Sequence, residues 1–272
     1  MTPRTPRTAA LAVVATALLA LAIAWAPAAP ARGGGLPGYA GSPACRECHE
    51  GIWKKWSLTP HARMLRKVAD NPEAIAASRF SPEIPFRRKD IMYTIGSHWI
   101  QKYLTVIDGE FYVLPKYWSI TKDDWEPYSI FNWRSKPYSL NCYGCHTVGF
   151  DPETKTLVED AIGCEACHGP GKRHTESQDP AAIVNPARLP KRLADNICEA
   201  CHTDGNDMLD GMFPFAAGFQ PGEPIEKYYS EFFLPKPGSK KWYKGNSTYE
   251  DRHRMFMFYQ TEFYSKMRAC GV

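Results

Sequence analysis

Cys142-Tyr143-Gly144-Cys145-His146, Cys164-Glu165-Ala166-Cys167-His168 and Cys198-Glu199-Ala200-Cys201-His202 follow one another closely, and Cys45-Arg46-Glu47-Cys48-His49 stands alone upstream. All four have the form Cys-x-x-Cys-His, the attachment signature of c-type haem. The spacing has a chemical reason. Two thiols three residues apart can reach the two vinyl groups on one side of a porphyrin, and the histidine beside the second thioether supplies the proximal iron ligand. The chain is therefore read as carrying four covalent haems c. Cys45, Cys48, Cys142, Cys145, Cys164, Cys167, Cys198 and Cys201 attach them, with His49, His146, His168 and His202 as proximal ligands.

Pairs of Cys-x-x-Cys also build structural zinc ribbons. A ribbon does not require a histidine directly after each second cysteine. Only eight of 272 residues are histidine, so its recurrence after all four pairs favours haem over zinc. A thioredoxin-like redox pair would be a single Cys-x-x-Cys beside a βαβ pattern, and neither is present.

Four histidines remain after the proximal ones: His61, His98, His174 and His253. Four irons and four spare imidazoles allow every haem a second histidine, which gives low-spin iron suited to passing electrons. His61 follows Pro60 and precedes the helix-prone Ala62 to Val68, which places it at an expected helix start. His174 comes after Gly169-Pro170-Gly171, residues that stop the short haem-binding helix and turn the chain. Ser247-Thr248-Tyr249-Glu250 is a capping box, and the helix it opens would carry His253.

Around these sites the chain divides into stretches of different character. Residues 1–31 read as a secretory signal, with Arg4 and Arg7 before an apolar run from Ala9 to Ala24 and small-residue cleavage sites in Ala26-Pro27-Ala28 and Ala29-Pro30-Ala31. The run is short for a bilayer span, so the expectation is a periplasmic protein with no membrane span after cleavage. An N-terminal haem module covers 41–90, an aromatic β-hairpin region 91–135 and a three-haem cluster 136–205. A proline- and aromatic-rich wrap covers 206–246, and a C-terminal helix 247–272. In the second stretch Asp108-Gly109 is a strong hairpin signal between Gln101–Ile107 and Glu110–Leu114. So few residues between the later motifs cannot build separate cores, and the haems must share one. The expected fold is mainly α with much irregular structure around clustered haems, plus a small antiparallel sheet.

Two strings carry a resemblance. Cys45 to Ala62 reads C-x-x-C-H-x6-W-x-x-T-x-H-A, and Gly163 to His174 reads G-C-E-A-C-H-G-P-G-x-x-H. Both resemble a family of multihaem cytochromes that includes the tetrahaem cytochrome c accepting electrons from hydroxylamine oxidoreductase in nitrifying bacteria. The last residues, Ser265 to Val272, resemble a stretch that in the family runs into another C-x-x-C-H. The resemblance thus implies a chain cut before a fifth haem, with Cys270 as its unpaired ninth cysteine.

The formal charge of +4 would be reversed by roughly two propionates per haem, and nucleic-acid binding gains no support. The expected function is periplasmic electron transfer between redox protein partners through closely spaced haems with mostly bis-histidine ligation. The alternative is a multihaem reductase, acting on nitrite, hydroxylamine, nitric oxide or a sulfur oxyanion, with one five-coordinate haem. All four motifs end in histidine, where many nitrite-reductase relatives carry lysine at the catalytic site, and this leans towards the carrier.

Overall fold

The structure, a computed structural model, describes residues 36–128, 131–203, 205–209 and 211–232. The signal-like residues 1–31, His253, Cys270 and the expected helix over 247–272 lie outside the described residues. Among the described residues no helix is long and apolar enough to cross a membrane.

Helix α1 (Ser42–Trp56) carries the first motif and has a proline in its first turn, where the missing N–H costs nothing. It is kinked at His49, whose φ of −115° and ψ of 39° leave the helical region. After it come β1 (Leu65–Lys67), β2 (Tyr93–Ile95), β3 (Ile100–Ile107), β4 (Glu110–Val113), β5 (Lys116–Ser119) and β6 (Asp124–Pro127). These form one six-stranded antiparallel sheet in the order β1-β2-β3-β5-β6, with β4 also on β3. Short helices then carry the clustered motifs: α2 (Tyr138–Asn141), α3 (Tyr143–His146), α4 (Glu165–His168), α5 (Lys172–Ser177) and the longer α6 (Lys191–His202). Two small ribbons complete the chain, β7 (Thr147–Val148) with β8 (Glu159–Asp160), and β9 (Gly205–Asp207) with β10 (Tyr229–Phe232).

The expectation of a mainly α fold is corrected. The sheet is the largest single element, and of the six helices among the described residues only α1 and α6 exceed six residues. The second and third motifs lie on single helical turns, α3 and α4, which is all that a Cys-x-x-Cys-His segment needs to present two thiols and an imidazole. The helix expected after His61 is also absent. Residues 65–67 pair with β2, Leu65 opposite Ile95 and Lys67 opposite Tyr93, and this pairing overrides local helix propensity.

Successive residues of β3 point to opposite faces and so serve two cores. Leu104 packs with Leu65, Tyr93, Phe111 and Val113 against Tyr138, Tyr143, Phe150, Phe213 and Phe215 of the motif-bearing half. Tyr103 packs the other way with Trp118, Phe86, Ile91 and Leu114. The sheet thus has a core of its own on one face and supports the haem-motif segments with the other.

Candidate metal centre

The first and third motifs are locked together by buried polar contacts. Glu165 opens α4 and is 1 % exposed, a costly place for a carboxyl unless its oxygens are paired. It accepts hydrogen bonds from the backbone N–H groups of Ala40 (2.9 Å), Gly41 (2.7 Å) and Gly171 (2.6 Å). Glu159 accepts from the Ser42 N–H and hydroxyl, and the Cys164 N–H donates to that hydroxyl at 2.8 Å. Burial raises the Glu159 pKa above its ordinary 4.5, with the Ser42 hydrogen bonds opposing and the nearby Glu165 and Asp160 carboxylates adding to the rise. The Trp56 indole donates to the Ile162 carbonyl at 3.1 Å, and the Ile162 N–H to the His61 carbonyl at 3.2 Å. Trp56 thereby ties α1 to the residues leading into the third motif.

Six of the eight thiols influence one another: Cys45, Cys145, Cys164, Cys167, Cys198 and Cys201. Cys45 and Cys164 hydrogen bond to each other, which lowers Cys164 to about 6 and raises Cys45. Cys145 and Cys201 are likewise in contact, and the contact with burial raises Cys201. Cys198 is pushed up to about 12, first by burial and then by the charges of Cys167 and Cys201. None of the eight motif cysteines is in a disulfide. Among the described residues no group of three or more His, Cys, Asp or Glu side chains converges on one point as a zinc ribbon's ligands would.

The imidazoles are fixed in two ways. His168 Nδ1 lies 2.9 Å from the Val184 carbonyl, and His174 Nδ1 2.9 Å from the Asp179 carbonyl. A carbonyl only accepts, so each Nδ1 carries the proton and each Nε2 keeps a free lone pair for a metal. His146 Nδ1 meets the Tyr138 hydroxyl instead, at 2.6 Å. Two pairs of rings then face each other. His49 and His174 have centroids 6.3 Å apart and planes 13° from parallel. His61 and His202 are 6.2 Å apart and nearly perpendicular, at 76°. An imidazole nitrogen lies about 2.0 Å from its metal and about 1.1 Å from its own ring centre, so two imidazoles on opposite sides of one metal have centroids about 6.3 Å apart. Both separations have the size that a shared iron would require.

Of the other expected ligands, His98 sits exposed in the β2–β3 connection, its ring 4.6 Å from that of Trp99. Tyr138, Ser42, Glu159 and Glu165 were not singled out by sequence reasoning. Motif position could not have found Glu165. Glu199 holds the same place in the fourth motif, yet there it accepts from the Asn196 amide at 2.6 Å.

Residues 44–94 and 129–169 match the family model described as cytochrome c554 and c-prime. No curated protein matches the chain. Among solved structures, the chain is similar to the outer cell wall cytochrome OcwA, with 24 % identity and a TM-score of 0.61 over 71 % of this chain and 45 % of that one. It also matches an undecahaem cytochrome from the S-layer of Carboxydothermus ferrireducens, with 23 % identity and a TM-score of 0.45 over 69 % and 28 %. The chain therefore spans less than half the length of either.

Proposed function

With the chain a relative of the multihaem c-type cytochromes as the premise, we propose that it is an extracytoplasmic electron carrier, periplasmic on the reading of residues 1–31. Its haems are held by the four motifs, and at least two of them have two axial histidines. The observation that carries this is the pair of facing imidazoles: His49 with His174, and His61 with His202, each spaced for one iron. When bound, haem supplies an iron that exchanges one electron at a potential set by its ligands and surroundings.

The rest is done by this chain's own residues. In each pair one imidazole follows its own thiols and the other comes from a distant segment, so the two together would supply both protein ligands of an iron held there. The Glu165 and Glu159 clamps hold the first attachment site against the third, and the second lies against the fourth where Cys145 Sγ is 3.9 Å from the Ala200 carbonyl. Cys167 and Cys198 bring the third beside the fourth. Neighbouring sites thus run first, third, fourth, second, an unbroken set of the kind a carrier needs. The partners in this reading are redox proteins at either end.

Electron paramagnetic resonance of the oxidised holoprotein tests it. The expected spectrum is low-spin for the two paired sites. High-spin iron at either would defeat the ligand assignment and turn the search towards the reductase alternative.

A further inference from the structure

We infer that Tyr138 is a positioning residue that lowers the reduction potential of the site completed by His146, acting through the imidazole and touching no redox partner itself. This rests on the reading of Cys142–His146 as a haem attachment site.

Tyr138 is 0 % exposed, and its hydroxyl lies 2.6 Å from His146 Nδ1. With Nε2 given to a metal, Nδ1 must carry the proton and the phenol oxygen must accept it. Accepting that proton fixes the tautomer and ring orientation and makes the imidazole a stronger donor, which favours the oxidised metal. His168 and His174 give the same proton to backbone carbonyls, which no substitution can remove. At His146 the acceptor is a side chain, so the second site has a potential that sequence can adjust.

The phenol is held from several sides. The Cys142 N–H donates to the Tyr138 carbonyl at 2.9 Å, so one residue grips both ends of the motif. The Tyr143 ring meets the Tyr138 ring edge-on, with centroids 5.4 Å apart. The next residue, Ser139, donates through both its N–H and its hydroxyl to Glu110 of β4, and Pro137 bridges Tyr112. The sheet edge thereby sets where the phenol sits.

The test is a spectroelectrochemical titration of the haem-loaded full chain, comparing wild type, Tyr138→Phe and Ser139→Ala. Tyr138→Phe should raise one midpoint, shifting its reduced-to-oxidised ratio at fixed ambient potential about tenfold, or about 59 mV for one electron. The other midpoints and those of Ser139→Ala should not move. Unchanged midpoints in Tyr138→Phe with full haem content would overturn the inference, as would an equal shift in Ser139→Ala, which loosens the support and leaves the phenol in place. Should Tyr138→Phe fail to assemble, proton magnetic resonance of the reduced wild type decides. An axial imidazole N–H with an Overhauser contact to a tyrosine ring supports the assignment, and no such contact removes it. A wild-type haem count below four would count against the reading of the motifs, separately from these outcomes.

Discussion

Gly144 stands directly before Cys145, and any Cβ added there would collide with the Phe215 ring. Phe215 is a core residue packed between Phe150 and Phe213, so it has nowhere to retreat. Gly144→Ala should destabilise the holoprotein by about 1–3 kcal/mol, read as a lower denaturant midpoint. Glu159 gives a pH dependence. Its pKa is raised in the folded state, so it binds its proton more tightly there than when unfolded. Its contribution is full below its ordinary 4.5 and is lost as pH rises through the higher folded value. Relative to Glu159→Gln, wild-type denaturant midpoints should therefore fall as pH rises above its ordinary 4.5; parallel curves would show that burial costs this carboxylate nothing. At this scale the sequence was legible only where chemistry demands contiguous letters. The eight motif thiols and four adjacent histidines could be named from spacing alone. The partners of Glu165 are set by chain segments far away, and no local pattern announces them.

The elements were legible in proportion to the strength of their local signals. Asp108-Gly109 predicted the β3–β4 hairpin, and both residues have positive φ, 50° and 80°, as the twist-matched two-residue turn requires. The β5–β6 hairpin was not foreseen. Its loop holds no glycine, and the left-handed position is taken by Asp123 at φ 52°. Its aromatic residues Tyr117, Trp118 and Trp125 fall within the expected aromatic β-hairpin region, but no turn signal there marks a second hairpin. The sheet also depends on a side chain that no periodicity marks. Gln101 is 0 % exposed, accepts from the Ala76 N–H at 2.7 Å and donates to the Ala74 and Gly96 carbonyls at 2.9 and 3.1 Å. Gln101→Leu should cost about 1–3 kcal/mol for each backbone group left without a partner. Thermal or denaturant unfolding should show this loss, with haem content and the electron paramagnetic resonance spectrum unchanged because the sheet's second core lies away from the motifs.

For the whole molecule the decisive prediction concerns the paired imidazoles. His174→Ala should turn one low-spin signal high-spin, and His61→Ala should do the same to a different one, with all four covalent attachments retained in each. If both substitutions alter the same signal, or neither alters any, the pairing of His49 with His174 and of His61 with His202 is wrong. The sequence supplied the candidates His61 and His174 but not their partners, because pairing is decided by how the chain folds back and not by spacing. The same reason explains the error over fold class. The motifs mark helical turns and carry no signal for the six-stranded antiparallel sheet that packs behind them.

The crossed origin of the paired imidazoles has a consequence for how the protein is made. An iron gripped by His49 and His174 would act as a clip closing a very long loop of chain, and so would one gripped by His61 and His202. Clips of this kind restrict the unfolded chain most, although the gain grows only logarithmically with loop length. They also impose an order on assembly. His49 precedes His174 by a long stretch of chain, so a haem attached at the first site before the chain folds back would have one face open, guarded by nothing but its own porphyrin. Its most chemically exposed moment would then belong to biogenesis, and a small ligand arriving at that stage would compete with the protein for its own iron.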